Sequence, residues 1–255
     1  MTISEWIEAA SKQIDRLDAE LILQHFLGVS DRSYLVAHSD EVLPNTTVIN
    51  THVERRANGE PLAYILGFRE FYGRNFFVTP DVLIPRPETE TIIDLVKTIK
   101  PSKLLDVGTG SGCIAITLAL ELPDAEVDAI DISEDALLVA QKNAAHHGVK
   151  INFYKSDLLA NYRAKPDTLV IANLPYVDKK WTWLNRETLD YEPTLALYAE
   201  QNGLELIYKL IDQLPEQCEL ILEADPCQHD AIIDYASKHG LNVKKQSGFI
   251  IYLAN

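Results

Sequence analysis

Asn173-Leu174-Pro175-Tyr176 follows directly on an apolar run, Thr168-Leu169-Val170-Ile171-Ala172. It offers two neighbouring hydrogen-bond acceptors, the Asn173 side-chain oxygen and the main-chain carbonyl of Leu174. Such a pair can hold a planar NH2 group by its two N–H bonds. Amide and exocyclic amino nitrogens are poor nucleophiles because their lone pair is delocalised. Alkylation needs that nitrogen to move towards tetrahedral geometry with its electrons facing the electrophile. Hydrogen bonds to both N–H groups strengthen as positive charge develops, so they stabilise the transition state more than the ground state. Pro175 keeps residue 174 extended, and Tyr176 could stack on the planar group. The motif supplies no evident general base, so the proton leaves after alkylation.

The electrophile needs a holder, and an upstream glycine-rich segment suits one: Asp106-Val107-Gly108-Thr109-Gly110-Ser111-Gly112. Glycines in a βα turn let the backbone approach a ligand and swing sharply into a helix. The spacing is G-x-G-x-G, not the G-x-G-x-x-G that leaves room for a pyrophosphate. It favours an adenosyl ligand without phosphates, with an ordinary tight turn as the plain alternative. Gly108, Thr109, Gly110, Ser111 and Gly112 form the expected cradle. Asp131 lies at the roughly 20-residue offset of an acidic group that accepts from ribose hydroxyls. Capping the next helix is its other available role. Asp157 and Leu158 lie where adenine should rest, one for its amino group and one for its face, with a solvated loop as the alternative for Asp157. Asn173 borders both ligands. Together the two motifs read as an N-methyltransferase that uses S-adenosyl-L-methionine and releases S-adenosyl-L-homocysteine.

These residues require elements to carry them. From Lys103 onward strands and helices alternate: strands at 104–107, 127–130, 151–154, 168–172 and 219–223, with helices at 113–122, 133–147, 204–214 and 230–239. Alternation with short connections predicts an α/β fold, a Rossmann-like, mostly parallel sheet covered on both faces. Segments 241–245 and 249–253, joined by Gln246-Ser247-Gly248, should add an antiparallel edge strand. Residues 1–68 read instead as a small bundle of short helices, opened by a Thr2-x-x-Glu5 capping box. Gly28 stops the second helix and Asn58-Gly59 the fourth. Residues 69–86 join the two parts, with aromatic residues around a Gly73-Arg74-Asn75 turn predicting a β-hairpin. Pro87 opens the catalytic domain, 87–255, at a favoured first helical position.

Bulk properties narrow the substrate. The chain has 255 residues, 47% of them apolar, and a net charge of −15 from 23 basic and 38 acidic residues. Up to Arg86 there are 8 basic and 12 acidic residues, or −4, leaving 15 and 26, or −11, for the catalytic part. A protein that grips polyphosphate presents a basic face, and no basic run is visible. A protein or small-molecule substrate is favoured over nucleic acid. No apolar run approaches the roughly 20 residues that span a bilayer, and the N-terminus lacks the layout of a secretory signal. Cys113, Cys218 and Cys227 have no C-x-x-C spacing, which suits a reducing cytoplasm. No spacing suggests a metal site.

Several segments resemble the release-factor glutamine methyltransferases. They are Gly59-Glu60-Pro61-Leu62-Ala63-Tyr64-Ile65-Leu66-Gly67, Phe71-Tyr72-Gly73, Leu83-Ile84-Pro85-Arg86-Pro87-Glu88-Thr89-Glu90, the glycine turn, and Glu192-Pro193 with Ala196-Leu197. The resemblance implies a class I methyltransferase sheet and N5-methylation of the glutamine in the Gly-Gly-Gln loop of bacterial release factors. It also implies an N-terminal helical domain that docks the factor and a hairpin beside the cofactor. The sequence departs from the family at Leu174, where Asn-Pro-Pro-Tyr is usual, and at Leu158, where some relatives have an aromatic residue. Leucine supplies the same main-chain carbonyl, so activity is expected to survive. Asn-Leu-Pro-Tyr also resembles the ribosomal-RNA adenine dimethyltransferases, which keeps an adenine N6-methyltransferase of rRNA or DNA as the second reading. A catalytically weak adenosyl-binding docking protein is the third. Trp181 and Trp183 could close over substrate or simply pack. Arg86 could touch the partner or tie the hairpin to the sheet, and Cys113 fits a buried structural thiol.

Overall fold

A computed structural model describes residues 1–181 and 189–255. Two compact units emerge: Met1–Gly67 with a short stretch ending at Tyr191, and the remainder from Phe68 onward.

The first unit is helical: α1 (Ile3–Ala10), α2 (Arg16–Leu27), α3 (Arg32–Ala37), α4 (Thr47–Ala57) and α5 (Leu62–Leu66). The Thr2 hydroxyl accepts from Glu5 N, and Glu5 accepts from Thr2 N in return. Gly28 closes α2 in the left-handed conformation at φ 68°. Helices this short are marginal alone. They are held by a shared core of Ile3, Trp6, Ile22, Leu23, Ile49 and Val53, in which the Trp6 indole donates to Asn50 Oδ1 at 2.9 Å. The helix α5 was not foreseen, because its five residues show too little periodicity.

The second unit begins with the hairpin β1 (Phe68–Phe71) and β2 (Arg74–Phe77). Its turn is Tyr72-Gly73, with φ 53° and 73°, and not Gly-Arg-Asn. Two-residue hairpins favour turns with positive φ at both central positions, and Arg74 and Asn75 are instead paired in β2. After a single 3-10 turn at Pro87–Thr89 come α6 (Glu90–Ile99), β3 (Lys103–Val107), α7 (Cys113–Glu121), β4 (Glu126–Asp131), α8 (Glu134–His147), β5 (Asn152–Lys155) and β6 (Leu169–Ala172). They are followed by α9 (Glu205–Gln213), β7 (Glu219–Glu223), α10 (His229–Ser237), β8 (Asn242–Ser247) and β9 (Ile250–Ala254).

The sheet order is β5-β4-β3-β6-β7-β9-β8. Strands β3 to β7 are parallel, and β9 runs antiparallel against β7. The final strand is therefore interior and β8 forms the edge. Burial explains this: Ile250, Ile251 and Leu253 are buried, whereas every residue of β8 is exposed. Alternate residues feed two cores. Leu105, Val107, Val170 and Leu220 face Ile207, Leu210 and Ile232 of α9 and α10. Leu104, Leu169, Ile171 and Ile221 face Ile92, Ile93, Ile116 and Leu118 of α6 and α7, along with hairpin residues Phe71 and Phe76. Among the described residues no helix is long and apolar enough to cross a membrane.

Candidate active site

Reversal of strand order at β3 opens a crevice at the C-terminal strand ends, where open α/β sheets bind ligands. It holds a cavity of about 300 Å³. Gly108, Thr109, Gly110, Ser111, Asp131, Asp157, Leu158, Asn173, Leu174 and Pro175 all line it. Two expected residues do not. Gly112 caps α7 at φ 81°, where a Cβ would meet Ile116 Cδ1 at 2.9 Å and Ala140 Cβ at 3.1 Å. Its lack of a side chain permits helix packing. Tyr176 points its hydroxyl at Glu223 Oε1, 3.3 Å away.

The glycine turn is braced. Gly108 and Gly110 sit at φ 74° and 53°, conformations that cost a side-chain-bearing residue about 1–2 kcal/mol. Asn143, fully buried, donates to Ser111 O at 2.8 Å and exchanges two hydrogen bonds with the Phe77 backbone, so the hairpin braces the turn. The Asp131 carboxylate accepts from Gly110 N and from Ser133 N, both at 2.9 Å. Helix α8 is capped by Ser133, whose hydroxyl accepts from Ala136 N. Asp131 thus orients the turn and faces the cavity, and burial raises its pKa despite these donors. Beneath the turn Asp106 accepts from the Thr109 hydroxyl at 2.6 Å. Burial pushes the Asp106 carboxyl up to about 7.

Leu158 lies in the left-handed region at φ 50°, a strained state for leucine. The Ser156 hydroxyl holds it, donating to Leu158 O at 2.6 Å. Asp157 lines the cavity while one oxygen pairs with Lys209 at 2.6 Å. Arg86 Nη2 lies 2.5 Å from Glu192 Oε1, and Glu192 Oε2 accepts from Ile84 N at 3.1 Å. Arg86 therefore ties the segment after the hairpin to the loop after the tetrapeptide. Burial raises the Cys113 thiol up to about 12, in keeping with a structural role. Trp183 lies outside the described residues.

At the tetrapeptide, Asn173 Nδ2 donates to Thr89 Oγ1 at 3.1 Å. Thr89 donates to Glu223 Oε2 at 2.7 Å. Among the described residues no donor is bonded to Asn173 Oδ1 or to the Leu174 carbonyl. The Leu174 side chain is buried against Gly108. The Tyr176 carbonyl accepts from Gln228 Nε2 at 2.8 Å. Gly203 passes so close that a Cβ there would lie 2.0 Å from the same oxygen.

Thr89 and Glu223 escaped the sequence reading. Glu223 had a signal: it is a carboxylate ending the apolar strand Leu220-Ile221-Leu222, at the sheet edge where ligands bind.

The cavity's chemistry suits a phosphate-free nucleoside. Among its described lining residues the sole cation is Arg86, committed to Glu192, while Asp81, Asp131 and Asp157 are acidic. A pyrophosphate would find no counter-charge, whereas a sulfonium cation would meet a negative field.

Comparison with known proteins agrees. Residues 88–186 match the methyltransferase small domain and residues 3–67 the PrmC N-terminal domain. A release factor glutamine methyltransferase of Koribacter versatilis is 41% identical over 82% of this chain and 78% of its own. The Neisseria gonorrhoeae enzyme of the same name is 36% identical over 95% and 91%. Among solved structures, ribosomal protein L11 methylase from Lactobacillus delbrueckii superposes with a TM-score of 0.50 at 26% identity, covering 69% of this chain and 81% of that one. The chain belongs to the release factor glutamine methyltransferase family.

Proposed function

We propose that this chain transfers the methyl group of S-adenosylmethionine to N5 of the glutamine in the Gly-Gly-Gln loop of peptide chain release factors, in the cytoplasm. The observation that carries this reading is the bond from the Asn173 NH2 group to Thr89, itself bonded to Glu223, which leaves the Asn173 oxygen without a described protein partner. That oxygen and the Leu174 carbonyl form the acceptor pair a primary amide requires. Leu174 and Pro175 supply and hold the main-chain acceptor. Tyr176, anchored on Glu223, fixes the motif's far end.

Residues present fit the cofactor. Asp131 would accept from the ribose hydroxyls, Gly108, Thr109, Gly110 and Ser111 would cradle the amino-acid end, and Leu158 would cover adenine while Asp157 meets its amino group. When bound, the sulfonium supplies an electrophilic methyl group. The chain's own contribution is orientation and electrostatics: a glutamine side chain held by two acceptors loses amide resonance as its N–H bonds bend towards them. We assign Met1–Gly67 to docking the release factor and the sheet domain to catalysis. Its acidic surface argues against direct nucleic-acid binding.

The test is mass spectrometry of purified release factor after incubation with the enzyme and cofactor. A 14-dalton gain confined to the Gly-Gly-Gln peptide is expected. Label appearing in rRNA alone would reject the assignment.

A further inference from the structure

We infer that Glu223, acting through Thr89, is a positioning residue that sets which end of the Asn173 amide faces the substrate. This rests on the proposed role of Asn173 as acceptor and adds the device that makes it one. An asparagine amide can turn over to present either NH2 or oxygen, and only its hydrogen-bond network decides. With Glu223 ionised, the network leaves one solution. Thr89 has a single hydroxyl hydrogen, spent on Glu223 Oε2 at 2.7 Å. Its oxygen must therefore accept from Asn173, which places Nδ2 on that side. Asn173 thus donates to Thr89, which in turn donates to Glu223. The carbonyl oxygen is left for the substrate.

The cost of Glu223 argues that it is not there for folding. It is 1% exposed, directly after the buried run Leu220-Ile221-Leu222 of its strand. Burial raises its pKa, opposed by hydrogen bonds from Thr89 and Tyr176. A buried carboxylate held by the two hydroxyls of Thr89 and Tyr176 is expensive compared with an apolar residue of the same volume. Ionised, Glu223 only accepts, which a glutamine cannot do. With Glu223→Gln, the new side-chain amide can donate to Thr89, freeing the hydroxyl to donate to Asn173 and drawing the asparagine oxygen away from the cavity.

The experiment compares wild type with Glu223→Gln, Thr89→Val, Thr89→Ser, Asn173→Ala and the Asn173→Ala/Glu223→Gln double variant. Its readouts are kcat and KM on purified release factor, cofactor affinity by calorimetry, and melting temperature. We expect Glu223→Gln to lower kcat by roughly 10- to 100-fold with KM and cofactor affinity within about twofold, since a preorganised contact is lost only in the transition state. Thr89→Val should follow in the same direction, and Thr89→Ser, which restores the hydroxyl, should recover most of the loss. The double variant should be no slower than Asn173→Ala, because Glu223 acts through that residue. Wild-type kcat in both Glu223→Gln and Thr89→Val would overturn the inference. So would a double variant slower than Asn173→Ala by the full Glu223→Gln factor. If wild type itself fails to label release factor, the proposed function is what fails, and this inference falls with it.

Discussion

The Leu174 side chain lies on Gly108: its Cδ2 would stand 3.1 Å from a Cβ built at that glycine. The residue that departs from the family's usual Asn-Pro-Pro-Tyr thus packs directly on the first glycine of the glycine turn. One contact joins the two motifs from which the chemistry was read.

Gly108→Ala should test that contact. The new methyl group would be held at φ 74°, costing about 1–2 kcal/mol, and would crowd a leucine methyl that can yield. Cofactor affinity should fall roughly 5- to 30-fold, with a smaller fall when Leu174→Ala is added. Titration calorimetry with S-adenosylhomocysteine measures both. Equal losses in the two backgrounds would mean that the leucine is not what the alanine meets.

Leu174→Pro restores the family's usual residue. The carbonyl remains, and Pro175 keeps the backbone extended, so kcat should stay within about threefold. The lost isobutyl packing should cost about 1–2 kcal/mol in thermal unfolding. A kcat loss beyond tenfold would show that the leucine side chain, and not only its carbonyl, shapes the site.

Asn173→Ala should reduce kcat by roughly 10²–10³, the scale of removing one preorganised transition-state partner. Cofactor affinity should change little, because Asp131 and the glycine turn are untouched. Near-normal turnover would remove the amide from the acceptor pair.

Gly203→Ala probes the support behind the tetrapeptide. Gln201, Asn202 and Gly203 all have positive φ, at 56°, 59° and 82°, a strained run pressed against the motif. An added Cβ would lie 2.0 Å from the Tyr176 oxygen and 2.6 Å from Gln228 Nε2. Backbone strain plus overpacking should cost about 3 kcal/mol, a drop of roughly 6–12 °C in Tm. Turnover should fall with it, because the Tyr176 carbonyl must move. A scanning calorimetry trace matching wild type would deny that the close approach is tight.

Much of this was legible because it is local. The alternation of strands and helices, the capping box at Thr2, the Gly28 stop and the glycine turn from Gly108 to Gly112 depend on neighbours in sequence. What escaped depends on distant ones. The Tyr72-Gly73 turn hid because a tyrosine at positive φ contradicts its own preference. The interior place of β9 is decided by which of two adjacent strands is apolar enough to be covered. Thr89 and Glu223 lie 134 positions apart, so no spacing rule could pair them. Leu158 carries backbone strain that no composition reveals.

Asp106 should make the protein less stable as pH rises towards neutrality. Its Oδ1 is buried with no hydrogen-bond partner, and burial raises the carboxyl from 3.8 to about 7. Between those values the folded protein holds a proton that the unfolded chain has released. Folding stability therefore falls with increasing pH across about pH 4 to 7 and levels off above. Asp131 and Glu223, also raised by burial, act in the same sense. The Asp106 contribution alone is on the order of 4 kcal/mol. Asp106→Asn keeps an acceptor for the Thr109 hydroxyl but cannot ionise, so it should flatten most of that slope. Urea unfolding of both proteins at pH 5 and pH 7.5 provides the measurement. Parallel pH dependences would place the titrating group elsewhere.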